Sequence, residues 1–118
     1  MKAPITTHVL DTANGNPAAG MTVLLERMGP DLQPSQLGTG VTDRDGRCNS
    51  LQSPGTPLEP GTYRLTFSTG EYFLKTHKQK CFFPIAQITF QVDENCGREH
   101  FHVPLLLSNY SFSTYRGS

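Results

Sequence analysis

The chain has 118 residues, with ten basic and ten acidic side chains in balance, which is one domain's worth of sequence over residues 1–118. The charge balance carries no nucleic-acid footprint and no attraction to an anionic membrane, and no apolar run approaches the roughly 20 residues of a membrane-spanning helix. Cys48, Cys81 and Cys96 are odd in number and lack C-x-x-C spacing, so a disulfide scaffold is disfavoured and a reducing compartment is expected.

Hydrophobic alternation with a period of two dominates the chain, broken by Gly, Pro, Asn and Asp. ITTHVLD reads as a first strand and NGNPAAG as a turn. MTVLLERM follows, with Met21, Val23 and Leu25 on one face. GPDLQPSQLG reads as a loop, LGTGVT as a short edge strand, DRDGRCNS as a tight turn on Asp45-Gly46, and SPGTPLEPG as a loop. TYRLTFST turns Tyr63, Leu65 and Phe67 inward. GEYFLKTHKQK breaks the alternation and is the one helix candidate. IAQITFQVDE sets Ile88, Phe90 and Val92 opposite Gln87, Thr89 and Gln91, and EHFHVPLLLS and SFSTYR close the chain. Many short strands with almost no helix predict an all-β protein, an antiparallel β-sandwich. MKAPITTHVLD has no apolar stretch behind its lysine, so a secretory signal is not expected.

Few residues can do chemistry. Phe101, Val103, Leu105 and Leu107 share a strand face, so His100 and His102 point away from the core, as His8 does opposite Val9. An outward histidine is most simply a surface residue, and His77, among lysines, reads as one. His100-x-His102 with His8 could form a three-His metal site, but the sequence offers no orderly set of supporting partners, and no metal is expected. Arg47, behind the Asp45-Gly46 turn, is either a solvated charge or a permanent cation aimed at a developing oxyanion. No Ser or Cys has the context of an activated nucleophile. Catalysis, if present, would use water assisted by histidine.

Three blocks, THVLDTANGNPAAGMTVLLER, TDRDGRC and HFHVPLLLSNYSFSTYRGS, together resemble the 5-hydroxyisourate hydrolases, the enzyme branch of the transthyretin-like family. The resemblance runs in order over nearly the whole chain. It implies two four-stranded sheets packed as a sandwich with one short helix, assembled as a homotetramer (a dimer of dimers) with active sites between the dimers. The implied reaction opens the six-membered ring of 5-hydroxyisourate, without a cofactor, to 2-oxo-4-hydroxy-4-carboxy-5-ureidoimidazoline in urate degradation. The resemblance makes His8, Arg47, His102 and Ser118 the catalytic set, and Tyr115, Arg116 and Gly117 substrate-binding residues. Which histidine is the base, and whether His100 has a role, stay open. Asn109 stands where proline is common in the family, and residues 29–40 follow no family motif. Two alternatives remain on the same fold: a small-molecule carrier in the manner of transthyretin, which would need none of these residues, and a protein-contact module. The expected location is the cytoplasm, or the peroxisome if a targeting segment lies outside these residues.

Overall fold

A computed structural model describes residues 3–94 and 100–117. The strands are β1 (Ile5–Asp11), β2 (Asn16–Pro17), β3 (Thr22–Met28), β4 (Pro34–Val41), β5 (Arg47–Cys48), β6 (Gly61–Phe67), β7 (Ala86–Val92), β8 (Phe101–Leu107) and β9 (Phe112–Thr114), with one helix, α1 (Thr69–His77), after β6. One sheet runs β2-β1-β8-β9 with β5 also on β1, and the other runs β4-β3-β6-β7.

The alternation read from the sequence is the alternation that packs. Ile5, Val9, Val23, Leu25, Leu65, Phe67, Leu105 and Leu107 are fully buried between the sheets. Each such side chain contributes roughly 1.5–3 kcal/mol on leaving water. Inward Phe90 is half-buried and lies 6.0 Å from the Tyr63 ring, closing the core from β7.

The two-sheet sandwich with a short helix stands, and three details differ from expectation. The four-strand count holds for one sheet, while the other gains a fifth, two-residue strand where the Asp45-Gly46 turn lies down on β1. Most pairs are antiparallel, but β1 and β8 run parallel, from Ile5↔Phe101 to Asp11↔Leu107. Such a long-range pairing follows from chain routing and leaves no mark in local alternation. The edge strand expected at LGTGVT begins earlier, at Pro34, inside the segment read as loop.

The helix falls where the alternation breaks. It buries Thr69, Tyr72 and Phe73, and it ends at Lys78, whose left-handed conformation returns the backbone N–H to the Phe73 carbonyl. His77 is not the solvated histidine its lysine neighbours suggested. Its Nε2 donates to Asp11 Oδ2 at 2.6 Å, and the Tyr72 hydroxyl donates to the same oxygen at 2.7 Å. The Asp11 carboxylate is fully buried, so these bonds tie α1 to the end of β1. Burial pushes the Asp11 carboxyl up, but the His77 and Tyr72 hydrogen bonds, the His77 charge and the Asn14 backbone N–H outweigh it and hold it below the usual range. Burial, then the bond to Asp11 and its charge, pushes the Tyr72 hydroxyl well above its ordinary value.

Candidate active site

Register decides which outward residues meet. Across β1 and β8, Thr6 pairs with His102 and His8 with Pro104, and across β1 and β5, His8 pairs with Arg47. Paired residues share a face, so Thr6, His8, Arg47 and His102 all stand on the outer side of the first sheet. His8 and His102 are diagonal neighbours on adjacent strands, on the order of 8 Å apart at their Cα atoms. Two imidazoles at that spacing can flank a small planar molecule.

Each group is held by backbone. Gly46 sits at φ +80°, and a Cβ there would lie 2.4 Å from the Val9 carbonyl, so only glycine lets this turn close on β1. The Val9 N–H donates to the Gly46 carbonyl at 2.7 Å, which locks the turn down. The Asp43 side chain accepts from the Asp45 and Arg47 backbone N–H groups at 2.9 and 3.0 Å and shapes the turn from within. Arg47 therefore leaves the turn beside His8, and the His8 Nε2 donates to the Asp45 carbonyl at 2.8 Å.

The tail supplies the far wall. β9 pairs with β8 through Leu105↔Thr114, and an isolated bridge joins His102 to Gly117 in the same register. One row across the sheet therefore reads Arg47, His8, Pro104 and the next reads Thr6, His102, Gly117. The Gly117 N–H donates to the His102 carbonyl at 2.7 Å. A Cβ on Gly117 would come within 2.7 Å of His102 Cδ2, so the glycine is the space in which the imidazole lies.

Comparisons with known proteins identify the family that shares this fold. A model of the HIUase/transthyretin family matches residues 5–117. The chain belongs to the HIUase/transthyretin family. It is 49% identical to the uric acid degradation bifunctional protein TTL of Arabidopsis thaliana, over 99% of this chain but only 38% of that protein. It is 45% identical to the 5-hydroxyisourate hydrolase of Mus musculus, over 98% of this chain and 96% of that one. Among solved structures, transthyretin from Sparus aurata superposes with a TM-score of 0.87 at 28% identity, over 98% of this chain and 97% of that one.

Within this family member the structure gathers His8, Arg47, His102 and Gly117 on one face, and it sends Arg116 elsewhere. Alternation along the tail turns Arg116 to the inner side, where its guanidinium lies 4.4 Å over the Phe101 ring. There, with Phe90, Val103, Thr114 and Tyr115, it lines a groove of about 270 Å³ between β7 and the tail. Ser118 lies outside the described residues, as does Cys96, while Cys48 and Cys81 are free thiols.

His100 offers no nitrogen to a metal. Its Nδ1 is bound to the Ala3 carbonyl at 2.8 Å and its Nε2 to the Thr6 hydroxyl at 3.1 Å. Among the described residues no group of three His, Cys, Asp or Glu side chains is placed to hold a metal ion, and no helix is long and apolar enough to cross a membrane. Sequence reasoning missed Thr6. Its only signal was its place two residues before His8, on the same strand face.

Proposed function

We propose that this chain hydrolyses 5-hydroxyisourate, as the relatives bearing that name do. The observation that carries the reading is the row of Arg47 and His8 beside His102 on a face with no core to fill. The reaction needs a base for water, a cation for the oxyanion and donors that hold a polar bicyclic ligand. Water adds its oxygen to the acyl carbon of the six-membered ring while a site imidazole takes its proton. The carbonyl oxygen becomes an oxyanion next to the Arg47 guanidinium, which is charged at any working pH. The ring C–N bond then breaks, and the proton passes to the departing nitrogen to give 2-oxo-4-hydroxy-4-carboxy-5-ureidoimidazoline. His8 and His102 handle the protons, and Tyr115, Gly117, Ser118 and the Arg116 backbone wall the pocket. No metal or cofactor takes part.

A carrier on this fold would need neither imidazole nor the arginine. Identity to the named hydrolase of mouse is 45%, against 28% to transthyretin, and both values favour hydrolysis. The face is open in a single chain, so hydrolysis needs a partner to cover it and exclude water. A homotetramer built as a dimer of dimers provides that cover with the fewest distinct contacts.

The test is to follow the ultraviolet decay of freshly generated 5-hydroxyisourate with and without the protein, subtracting the spontaneous rate. A protein-dependent acceleration that survives dialysis against a strong chelator is expected. Decay at the spontaneous rate sinks the reaction, and a chelator-sensitive rate restored by zinc sinks the metal-free mechanism. Gel filtration with light scattering should give four chains per particle.

A further inference from the structure

His8 stands on the outer face of β1, with the β5 turn on one flank and β8 on the other. Its Nε2 lies 2.8 Å from the Asp45 carbonyl oxygen, and among the described residues no second hydrogen bond reaches the ring. A carbonyl only accepts, so Nε2 bears a proton, and in the neutral ring the lone pair is on Nδ1. The two nitrogens of an imidazole point apart across the ring, so with Nε2 committed to the turn Nδ1 faces away from it. The carbonyl that makes this selection is itself held. Asp43 Oδ1 accepts from the Asp45 and Arg47 backbone N–H groups at 2.9 and 3.0 Å. The Gly46 N–H donates to the Asp43 carbonyl at 2.9 Å, and the Asp43 N–H donates to the Arg47 carbonyl at 2.8 Å. From β1, the Val9 N–H donates to the Gly46 carbonyl at 2.7 Å. The turn is bonded within itself and to the strand that carries the ring.

We infer that the Asp45 carbonyl holds His8 in its Nε2–H tautomer, and that His8 Nδ1 is the atom that takes the proton of the attacking water. Asp43 is a positioning residue: it fixes the turn whose carbonyl holds the ring. The choice of base rests on the hydrolytic reading given above, whereas the tautomer does not. In the step, the water oxygen bonds to the acyl carbon, its proton goes to Nδ1, and the ring becomes an imidazolium. When the C–N bond breaks, the departing nitrogen takes that proton and His8 returns to its starting tautomer. The Nε2 proton stays on the Asp45 carbonyl throughout, so the ring need not turn between the two transfers. A charged donor makes the stronger hydrogen bond, so the tie to Asp45 tightens as the proton arrives.

Long-range ¹H–¹⁵N correlation spectra of histidine-labelled protein report which nitrogen of His8 is protonated, at about pH 8, above the usual histidine range. The wild type should show His8 protonated on Nε2. His8→Gln separates a base from a mere tie, because a glutamine amide can donate to the Asp45 carbonyl but has no basic nitrogen to take a proton from water. With the backbone amide shifts of Asp45, Gly46 and Arg47 near wild type, its kcat should fall about 10²–10⁴-fold with KM little changed. Asp43→Ala releases the turn, and it should lose the tautomer preference and lower kcat about 10-fold or more. Asp43→Asn, which keeps the side-chain oxygen, should retain both. If Asp43→Ala does not fold, Gly46→Ala releases the same turn through the contact of its Cβ with the Val9 carbonyl. The inference is overturned if wild-type His8 is protonated on Nδ1, if folded His8→Gln keeps its rate, or if releasing the turn leaves the tautomer or the rate unchanged. A wild type with the expected tautomer and no hydrolysis overturns the reaction and leaves the tautomer standing.

Discussion

The outer faces of the two sheets are both polar, and they spend their polar groups differently. On the four-stranded sheet the groups satisfy one another. Arg64 places Nε and Nη2 on Glu26 Oε1 at 3.1 and 2.8 Å, Thr62 donates to Gln91 at 2.8 Å, and Gln87 donates to Thr66 at 3.3 Å. On the five-stranded sheet His8 and His100 are bound to backbone carbonyls, and the Thr6 hydroxyl stands between His100 and His102. These uncharged partners orient a ring without neutralising it. A face of closed pairs is inert, whereas a face of oriented imidazoles beside an arginine is suited to a polar ligand. His77 shows the third case: a buried carboxylate claims its Nε2, and the result is a structural tie.

The largest expected effect breaks the reactive face. His102→Asn and His8→Asn should each lower kcat by about 10²–10⁴-fold, with circular dichroism and melting temperature near wild type because neither ring enters the core. A folded variant with a near-normal rate would remove that residue from the mechanism. Next is Gly117→Ala, whose Cβ must displace the His102 ring from a 2.7 Å contact. Misplacement of a reacting group by about 1 Å can cost up to about 10²-fold, so kcat should fall by roughly 10–100-fold with little change in urea midpoint. A normal rate would mean that the tail does not position His102.

On the inert face the expectation reverses. Arg64→Leu leaves the Glu26 carboxylate, 12% exposed, without its cation. That should cost about 2 kcal/mol in urea unfolding with kcat unchanged, and a loss of rate would show that the two faces are coupled. The smallest effect belongs to the helix tie. The Asp11 carboxyl is held below its ordinary value of 3.8 in the folded chain, so its stabilising contribution is fully present above that value and is lost as pH falls through the folded pKa. The difference in unfolding free energy between wild type and Asp11→Asn should therefore shrink as pH falls from about 5 to about 3. A gap that stays constant over this range would show that the bonds to His77 and Tyr72 do not depend on the Asp11 charge.

Much of the site was legible because strand alternation is strict. With Val103 and Leu105 committed to the core, His102 had to face outward, and Val9 did the same for His8. The Asp45-Gly46 turn left Arg47 open between a solvated charge and a site cation, and Arg47 and Gly117 were singled out by the family motif. The motif could not distinguish Arg116 from its neighbours. Continuing the β8–β9 register past Thr114 turns that arginine to the inner side of the sheet, onto Phe101. His77 was misread because its partner, Asp11, lies 66 residues away in sequence.

The sequence by itself determined the two-sheet architecture, the inward and outward sides of β1, β3, β6, β7 and β8, and the set of residues able to do chemistry. Side-chain direction in a strand repeats every two residues and needs no knowledge of the neighbours. Only the tertiary structure decided that β1 lies parallel to β8, because pairing between distant segments depends on chain routing and the packing of both sheets. From that single pairing Thr6 comes to stand between His100 and His102, and His8 comes to lie one diagonal from His102. Hydrogen bonds are short and directional, so the orientation of a histidine depends on the atoms about 3 Å from its nitrogens, and here Ala3 and Thr6 bring such atoms to His100 and His102.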